Sequence, residues 1–230
     1  MTPALEFAGV SKSYGGLRPL RIADLRLAEG ELVAILGLDQ TSAEVFVTLA
    51  TGASLPDSGD VRLFGRPTSA ITDAADWLAT IDRVGIVSDR AVLLDQLSAV
   101  QNLAMPFTLD IEPPPDSERA RAEALAQEVG LPPEAWGRRL AELGADVSAR
   151  VRLGRAIALR PAVLLLEHAS ARLPREAVAP FGAAAREIAE RRGIAMVAAT
   201  ADEAFARAVA PRVLALEPST GRLKERRRWF

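Results

Sequence analysis

Between Leu32 and Leu36 the chain runs Leu-Val-Ala-Ile-Leu with no polar break. A run of that length fits a strand buried on both faces. Val84–Val87, Val163–Leu166, Ile194–Ala199 and Val213–Leu216 repeat the pattern. The N-terminal segment alternates instead. Ala4–Phe7 and Leu25–Leu27 read as half-buried strands around a turn at Tyr14-Gly15-Gly16, and Val61–Phe64 follows a turn at Asp57-Ser58-Gly59. Between these strands the period changes. Ser42 is placed to cap a helix over Ala43–Thr51 that Gly52 stops. Residues 97–160 read mostly as helix, broken by Pro113-Pro114-Pro115 and resumed over Asp116–Val129. A last helix spans Glu176–Arg192 and ends at Gly193. Buried strands alternating with helices predict an α/β fold with a parallel sheet, antiparallel N-terminal strands and an inserted helical subdomain over about 92–158. The whole of 1–230 reads as one domain, without internal repeats.

Composition narrows the chemistry. The chain is 49% hydrophobic and 25% charged, the balance of a folded globular protein. A formal net charge of -2 gives no basic field, so no nucleic-acid partner is expected. There is no Cys and a single His, His168, which excludes disulfides, thiolate metal sites and His clusters; no metal site is expected. Only two of the 28 basic residues are lysines, Lys12 and Lys224. The apolar runs are too short for a bilayer span and the N-terminus lacks a signal-peptide pattern, so the cytoplasm is the expected location.

The order strand, Gly-led loop, helix over 32–51 is the layout of a phosphate-binding loop. From Leu5 to Leu223 the chain resembles the ATP-binding cassette of ABC transporters. The resemblance rests on the order and spacing of many stations. Leu5-Glu6-Phe7 through Tyr14 is similar to the family's opening strand and adenine-stacking aromatic. Gly30–Gly37 is similar to the run into the phosphate loop, Pro56–Gly59 to the turn after the first helix, and Arg150–Pro161 to the helix after the signature motif. Residues 96–107 resemble the segment facing the membrane subunit, with Leu97, Val100, Asn102, Met105, Pro106 and Phe107 as expected contacts. Ala104–Phe107 is also similar to cassettes that serve lipid or lipoprotein transport. The resemblance implies a P-loop NTPase-like core, a mixed sheet, and a transmembrane permease subunit as partner.

The positions that carry the family's chemistry differ. The nucleotide-binding stretch is Gly37, Leu38, Asp39, Gln40, Thr41, Ser42, Ala43 and Glu44, where the family pattern is G-x-x-x-x-G-K-S/T. Ala43 stands for the phosphate-binding Lys and Glu44 for the magnesium-binding hydroxyl. Asp39 and Glu44 bring carboxylates to a polyanion site; at ~6 Å and an effective dielectric of ~20 each like-charge pair costs roughly 3 kcal/mol before screening. Asp89 stands for the magnesium-sensing Gln, Glu167-His168 for the Asp-Glu pair, Ala201 for the switch His, and Leu143-Gly144-Ala145-Asp146-Val147 for the signature loop. With two Lys and one His, no register restores both a phosphate Lys and a switch His. Tyr14 could stack on adenine or pack the sheet edge. His168 reads as a polar cap on the core, since no nucleophile accompanies it.

These residues predict a degenerate cassette, a pseudo-ATPase with a structural or regulatory role at the inner face of a membrane. It would be a homodimer or paired with another cassette, with no cofactor. Under the alternative, a divergent ATPase, ATP and Mg2+ are cofactors, and Arg90 is the nearby cation that could reach the phosphates. A further alternative is an α/β binding protein that has left transport. The basic-aromatic end, Lys224–Phe230, could touch anionic lipid or a membrane subunit, but reads first as a solvated tail.

Overall fold

The computed structural model describes residues 2–226. Two sheets sandwich a helix. β1 (Leu5–Lys12), β2 (Leu20–Leu27), β4 (Ser58–Leu63) and β5 (Arg66–Pro67) form an antiparallel sheet ordered β2-β1-β4-β5. β3 (Leu32–Leu36), β6 (Val84–Ser88), β7 (Val163–Glu167), β8 (Ala195–Thr200), β9 (Arg212–Glu217) and β10 (Arg222–Glu225) form the second, ordered β10-β9-β3-β8-β7-β6. Its strands are parallel except β10, which pairs antiparallel with β9 at the edge. The sheet is therefore mixed, as the resemblance implies.

The continuous apolar runs are explained by two cores. Val33 and Ile35 of β3 point to one cluster while Leu32, Ala34 and Leu36 point to the other; Val163 and Leu165 of β7 part from Leu164 and Leu166 in the same way. A strand with a core on each face has no place for polar residues. The first core lies between the sheets around α1 (Gln40–Ala50), where Phe46 stacks on Phe7 of β1 at 4.9 Å between ring centroids. The β9 run is less covered than its sequence predicts, with Leu214 its one buried residue.

The second core lies on the opposite face of the large sheet. Here pack α7 (Arg175–Arg192), α8 (Glu203–Val209) and the helical segment between β6 and β7. That segment holds α3 (Ala99–Ala104), α4 (Asp116–Glu128), α5 (Pro133–Trp136) and α6 (Ala145–Ile157). A further helix, α2 (Ala74–Ile81), precedes β6 on the surface and has no counterpart in the sequence reading. The helix expected over Glu176–Arg192 begins one residue earlier and ends on Gly193, whose φ of 66° places the backbone where a Cβ is disfavoured. Among the described residues no helix is long and apolar enough to cross a membrane. Arg227, Arg228, Trp229 and Phe230 of the basic-aromatic end lie outside the described residues.

Candidate functional site

β3 delivers the chain to the site. Gly37 turns it out of the strand at φ 97°, where an added Cβ would meet the Leu216 carbonyl oxygen at 3.2 Å. The helix then starts earlier than Ser42 would have it. Asp39 is the N-cap and α1 begins at Gln40, so Ser42 lies within the first turn. The Asp39 carboxylate accepts from the Ser42 amide at 2.8 Å and from its hydroxyl at 2.6 Å. A helix N-terminus attracts an anion through its free amides and its dipole. In this chain the anion is supplied from within, by a residue three positions upstream. Gln40 and Thr41 are exposed, Leu38 and Ala43 are buried, and Ala43 packs into the inter-sheet core.

These hydrogen bonds, first from the Ser42 hydroxyl and then from its amide, hold the Asp39 carboxyl below its usual range, with His168 adding a smaller pull. A carboxyl that binds its proton at lower pH when folded stabilises fully above its ordinary pKa. That contribution is lost as pH falls through the folded value. Asp39→Asn keeps the cap but not the charge. The variant is therefore expected to lose stability less steeply than the parent below about pH 4, measured by urea unfolding across pH. Equal slopes would show that the Asp39 charge contributes nothing.

Across from the loop stands a second internal charge pair. Glu167, at the end of β7, is fully buried. It accepts from Arg90 Nε at 2.9 Å, from Arg90 Nη2 at 2.5 Å and from the Ser88 hydroxyl at 3.1 Å. The same guanidinium donates from Nη1 to Glu44 on α1 at 2.7 Å. One arginine thus bridges the two acidic side chains that stand where the resemblance puts the metal's protein ligands. The fork geometry of the guanidinium suits two carboxylates at once. Bonds to Glu167 push the Arg90 pKa above its ordinary value, so the guanidinium keeps its charge.

Asp89 faces the other way. It pairs with Arg172 at 3.0 Å and with Arg152 of α6 at 3.6 Å. The dipeptide Asp89-Arg90 therefore ties the strand core to α6. His168 sits at φ 44° and donates from Nε2 to the Leu38 carbonyl at 3.1 Å, which requires the proton on Nε2. It is a brace between the end of β7 and the loop, with its amide bonded to the Ala199 carbonyl. Both lysines are paired with other acids: Lys12 with Asp57 at 3.1 Å and Lys224 with Glu217 at 3.3 Å.

The remaining predicted residues fall as follows. Tyr14 packs partly on the inter-sheet core and borders a small cleft of about 140 Å³ with Gly37, Leu38, Asp39 and Ser42. Burial, and then the Asp39 charge, push its phenol up. Ala201 follows β8, in a wide depression that also includes His168 and Asp202. Gly144 caps α6, and Ala145, Asp146 and Val147 form its first turn, while Leu143 precedes it. Asp146 accepts from Arg150 at 3.0 Å one turn on. Of the expected membrane-subunit contacts, Leu97, Val100 and Asn102 are buried within the chain. The Asn102 side chain holds the Leu94 amide and the Leu94 and Ser98 carbonyls, so it fixes a loop and offers nothing outward. Met105 and Pro106 do reach a surface groove of about 380 Å³, and the half-buried Phe107 lies under the Arg121 guanidinium at 3.7 Å. The groove lies between α2, β6 and the C-terminal end of α6.

The architecture defines a class: an α/β nucleotide-cassette core with an inserted helical layer. No protein-family model matches the chain. It is 32% identical over 224 residues to the lipoprotein-releasing system ATP-binding protein LolD 2 of Caulobacter vibrioides, covering 94% of this chain and 95% of that protein. It is 29% identical over 217 residues to the methionine import ATP-binding protein MetN of Brucella abortus, of which it spans 58%. The fold matches a dimeric bacterial ABC transporter cassette with a TM-score of 0.78 at 21% identity, covering 98% of this chain and 100% of that one. It also matches cbiO1 of Clostridium perfringens, part of the ABC transporter complex cbiONQ, with a TM-score of 0.80 at 20% identity over 97% of this chain and 88% of that one. The chain belongs to the ATP-binding cassette family, as the nucleotide-binding-domain type of ABC transporters.

Proposed function

We propose that this cassette does not hydrolyse ATP and acts through contact, as a structural or regulatory subunit beside a transmembrane permease at the inner face of a membrane. The observation that carries the reading is the Arg90 bridge between Glu44 and Glu167. A nucleotide polyphosphate and its magnesium ion do not fit these residues. The two carboxylates that would have to face the metal already share a cation. The helix N-terminus that would face a phosphate already has the Asp39 carboxylate. The position for an amine is a buried alanine. For Arg90 to serve the phosphates instead, it would have to leave a fully buried carboxylate unpaired, which is costly.

Both halves of a head-to-tail cassette pair are affected, because the phosphate loop and the signature segment each carry an added acid, Glu44 and Asp146. A homodimer or a scaffold beside another cassette suits that pattern. Membrane-subunit contact is assigned to the groove lined by Met105 and Pro106, with Phe107 behind it.

The test is calorimetric titration with ATP, with and without magnesium, to millimolar nucleotide, alongside thermal unfolding. No heat and no shift in Tm are expected. A micromolar site saturated about a thousandfold would add about 4 kcal/mol of stability. Such a shift would overturn the reading and favour the divergent ATPase.

A further inference from the structure

Among the described residues three that are not glycine hold a left-handed φ: Phe64 at 53°, His168 at 44° and Arg160 at 55°. Two of them have contacts that account for the strain. Phe64 packs on the inter-sheet core beneath the Arg83 guanidinium, 3.7 Å from its ring centroid, and His168 braces the loop at Leu38. Arg160 is different. It lies just past the end of α6, in a conformation that glycine adopts at least cost. Pro161 follows, and a proline drives the residue before it toward extended backbone. The Arg160 amide donates to the Ile157 carbonyl at 3.2 Å, but among the described residues its guanidinium has no hydrogen-bond, ionic or aromatic partner. A cation does suit the negative end of a helix, yet Arg155 already fills that role in the last turn of α6. Arg160 instead lines a cavity of about 300 Å³ with Pro161, Arg192 and Ile194. Pro161 and Ile194 are buried and make its apolar wall. Arg192 is engaged: Nε and Nη2 donate to Glu128 at the end of α4, and Nη1 donates to the Ile157 carbonyl at 2.6 Å. Arg191 shares Glu128 and also pairs with Glu187 at 3.4 Å. Glu128 and Glu187 therefore balance Arg191 and Arg192, and the charge left over is that of Arg160. Among the described residues no acid lines the cavity.

We propose that this cavity binds a small molecule through an oxyanion, carboxylate or phosphate, that pairs with the Arg160 guanidinium while a short apolar part lies against Pro161 and Ile194. The planar fork of a guanidinium matches either oxyanion with two parallel hydrogen bonds. A volume of about 300 Å³ is at the small end for ligand sites, so the occupant is a compact metabolite. Arg192 keeps Glu128 and gives its remaining N–H groups to the same space. An arginine at a position that favours glycine is thereby explained: the strain is local, and the charge it places in the cavity has a use that no contact within the chain supplies. The site stands apart from the phosphate loop and does not depend on whether this cassette turns over ATP.

The test is titration of the full chain with inorganic phosphate and, separately, with isovalerate, each against sodium chloride at equal ionic strength, followed by calorimetry and thermal unfolding. At least one probe is expected to give a saturable heat and a rise in Tm, with a Kd of roughly 1 mM for so small a molecule. Saturation by phosphate assigns a phosphate-bearing ligand, and saturation by isovalerate a carboxylate. Arg160→Gly removes the guanidinium where glycine is at ease, so it is expected to keep or raise the Tm of the chain alone. The same variant is expected to weaken the probe about tenfold or more, as for loss of a charged hydrogen bond. Arg119→Ala removes a cation from an exposed pair on α4 and is expected to leave binding unchanged. No saturable response to either probe, or a response that Arg160→Gly leaves intact, overturns the proposal. An equal loss in Arg119→Ala would trace the response to net charge and overturn it as well. The nucleotide titration stays distinguishable. An ATP response that vanishes in Arg160→Gly belongs to this cavity and supports the oxyanion site. One that persists belongs to the phosphate loop and counts against the pseudo-ATPase reading alone.

Discussion

Replacing Arg90 with Ala is expected to lower stability by about 3 kcal/mol, because it strands the Glu167 carboxylate in a site with no solvent exposure. The estimate sits at the low end for broken buried pairs, since water reaches the outer side of Arg90, whose side chain is 44% exposed. For a chain of this length the fall corresponds to roughly 6–12 °C in Tm. Glu44, on the rim, contributes less, and Glu44→Gln should cost under about 1 kcal/mol. The decisive comparison is the pair Arg90→Met with Glu167→Leu. Removing both charges and keeping volume should recover most of the loss, because an apolar pair can replace a buried ionic one at little cost. Urea unfolding of the three variants checks this. A single Arg90→Ala within 0.5 kcal/mol of the parent, the range of ordinary surface changes, would mean the bridge is idle.

Gly85→Ala should be nearly as damaging for a different reason. Gly85 lies in β6 where α6 crosses it. A Cβ there would sit 2.4 Å from the Ala156 carbonyl oxygen and 2.9 Å from Leu164 Cδ1. Backbone cannot yield as a side-chain tip can, so α6 must move off the sheet, a strain of about 2–3 kcal/mol. The same glycine lines the groove beside Met105 and Pro106, so the variant should widen it as well. Gly137→Ala is the matched control. Its added Cβ would meet nothing within 4 Å and its φ is −89°. It should fall within about 0.5 kcal/mol of the parent. Equal stability of the two variants would refute the account of the β6–α6 contact.

Much of the fold was legible in the sequence, and the reason is local. A strand with a core on each face leaves an unbroken apolar run, and Leu32–Leu36 and Val163–Leu166 are such strands. Gly193 marks the end of α7 through backbone geometry that any reader of the chain can apply. The helix start was not legible to the residue, because Asp39 and Ser42 are both good caps and only the fold decides between them. The buried place of Leu97, Val100 and Asn102 was hidden for a related reason. The six-residue helix that follows Leu97 is buried at every position but Gln101, so its pattern does not distinguish an outward face from an inward one. The bridge was least visible of all. Arg90 lies 46 residues from Glu44 and 77 from Glu167. The sequence pointed to Glu44 and Glu167 as members of altered motifs and to Arg90 as a nearby cation under the ATPase alternative, but the contact that joins them belongs to the tertiary structure.

The Arg90 bridge also bears on the history of this chain. Once one side chain satisfies two acids, any single step back toward the family pattern meets an obstacle. Glu44→Ser leaves Arg90 and its buried partner in place. Ala43→Lys brings a second cation toward the first. Each reversion is disfavoured until another has occurred, so recovery of the full family pattern would need several changes together. On the proposed contact function the bridge works as a ratchet, and it leaves selection to act on the rest of the chain for contact.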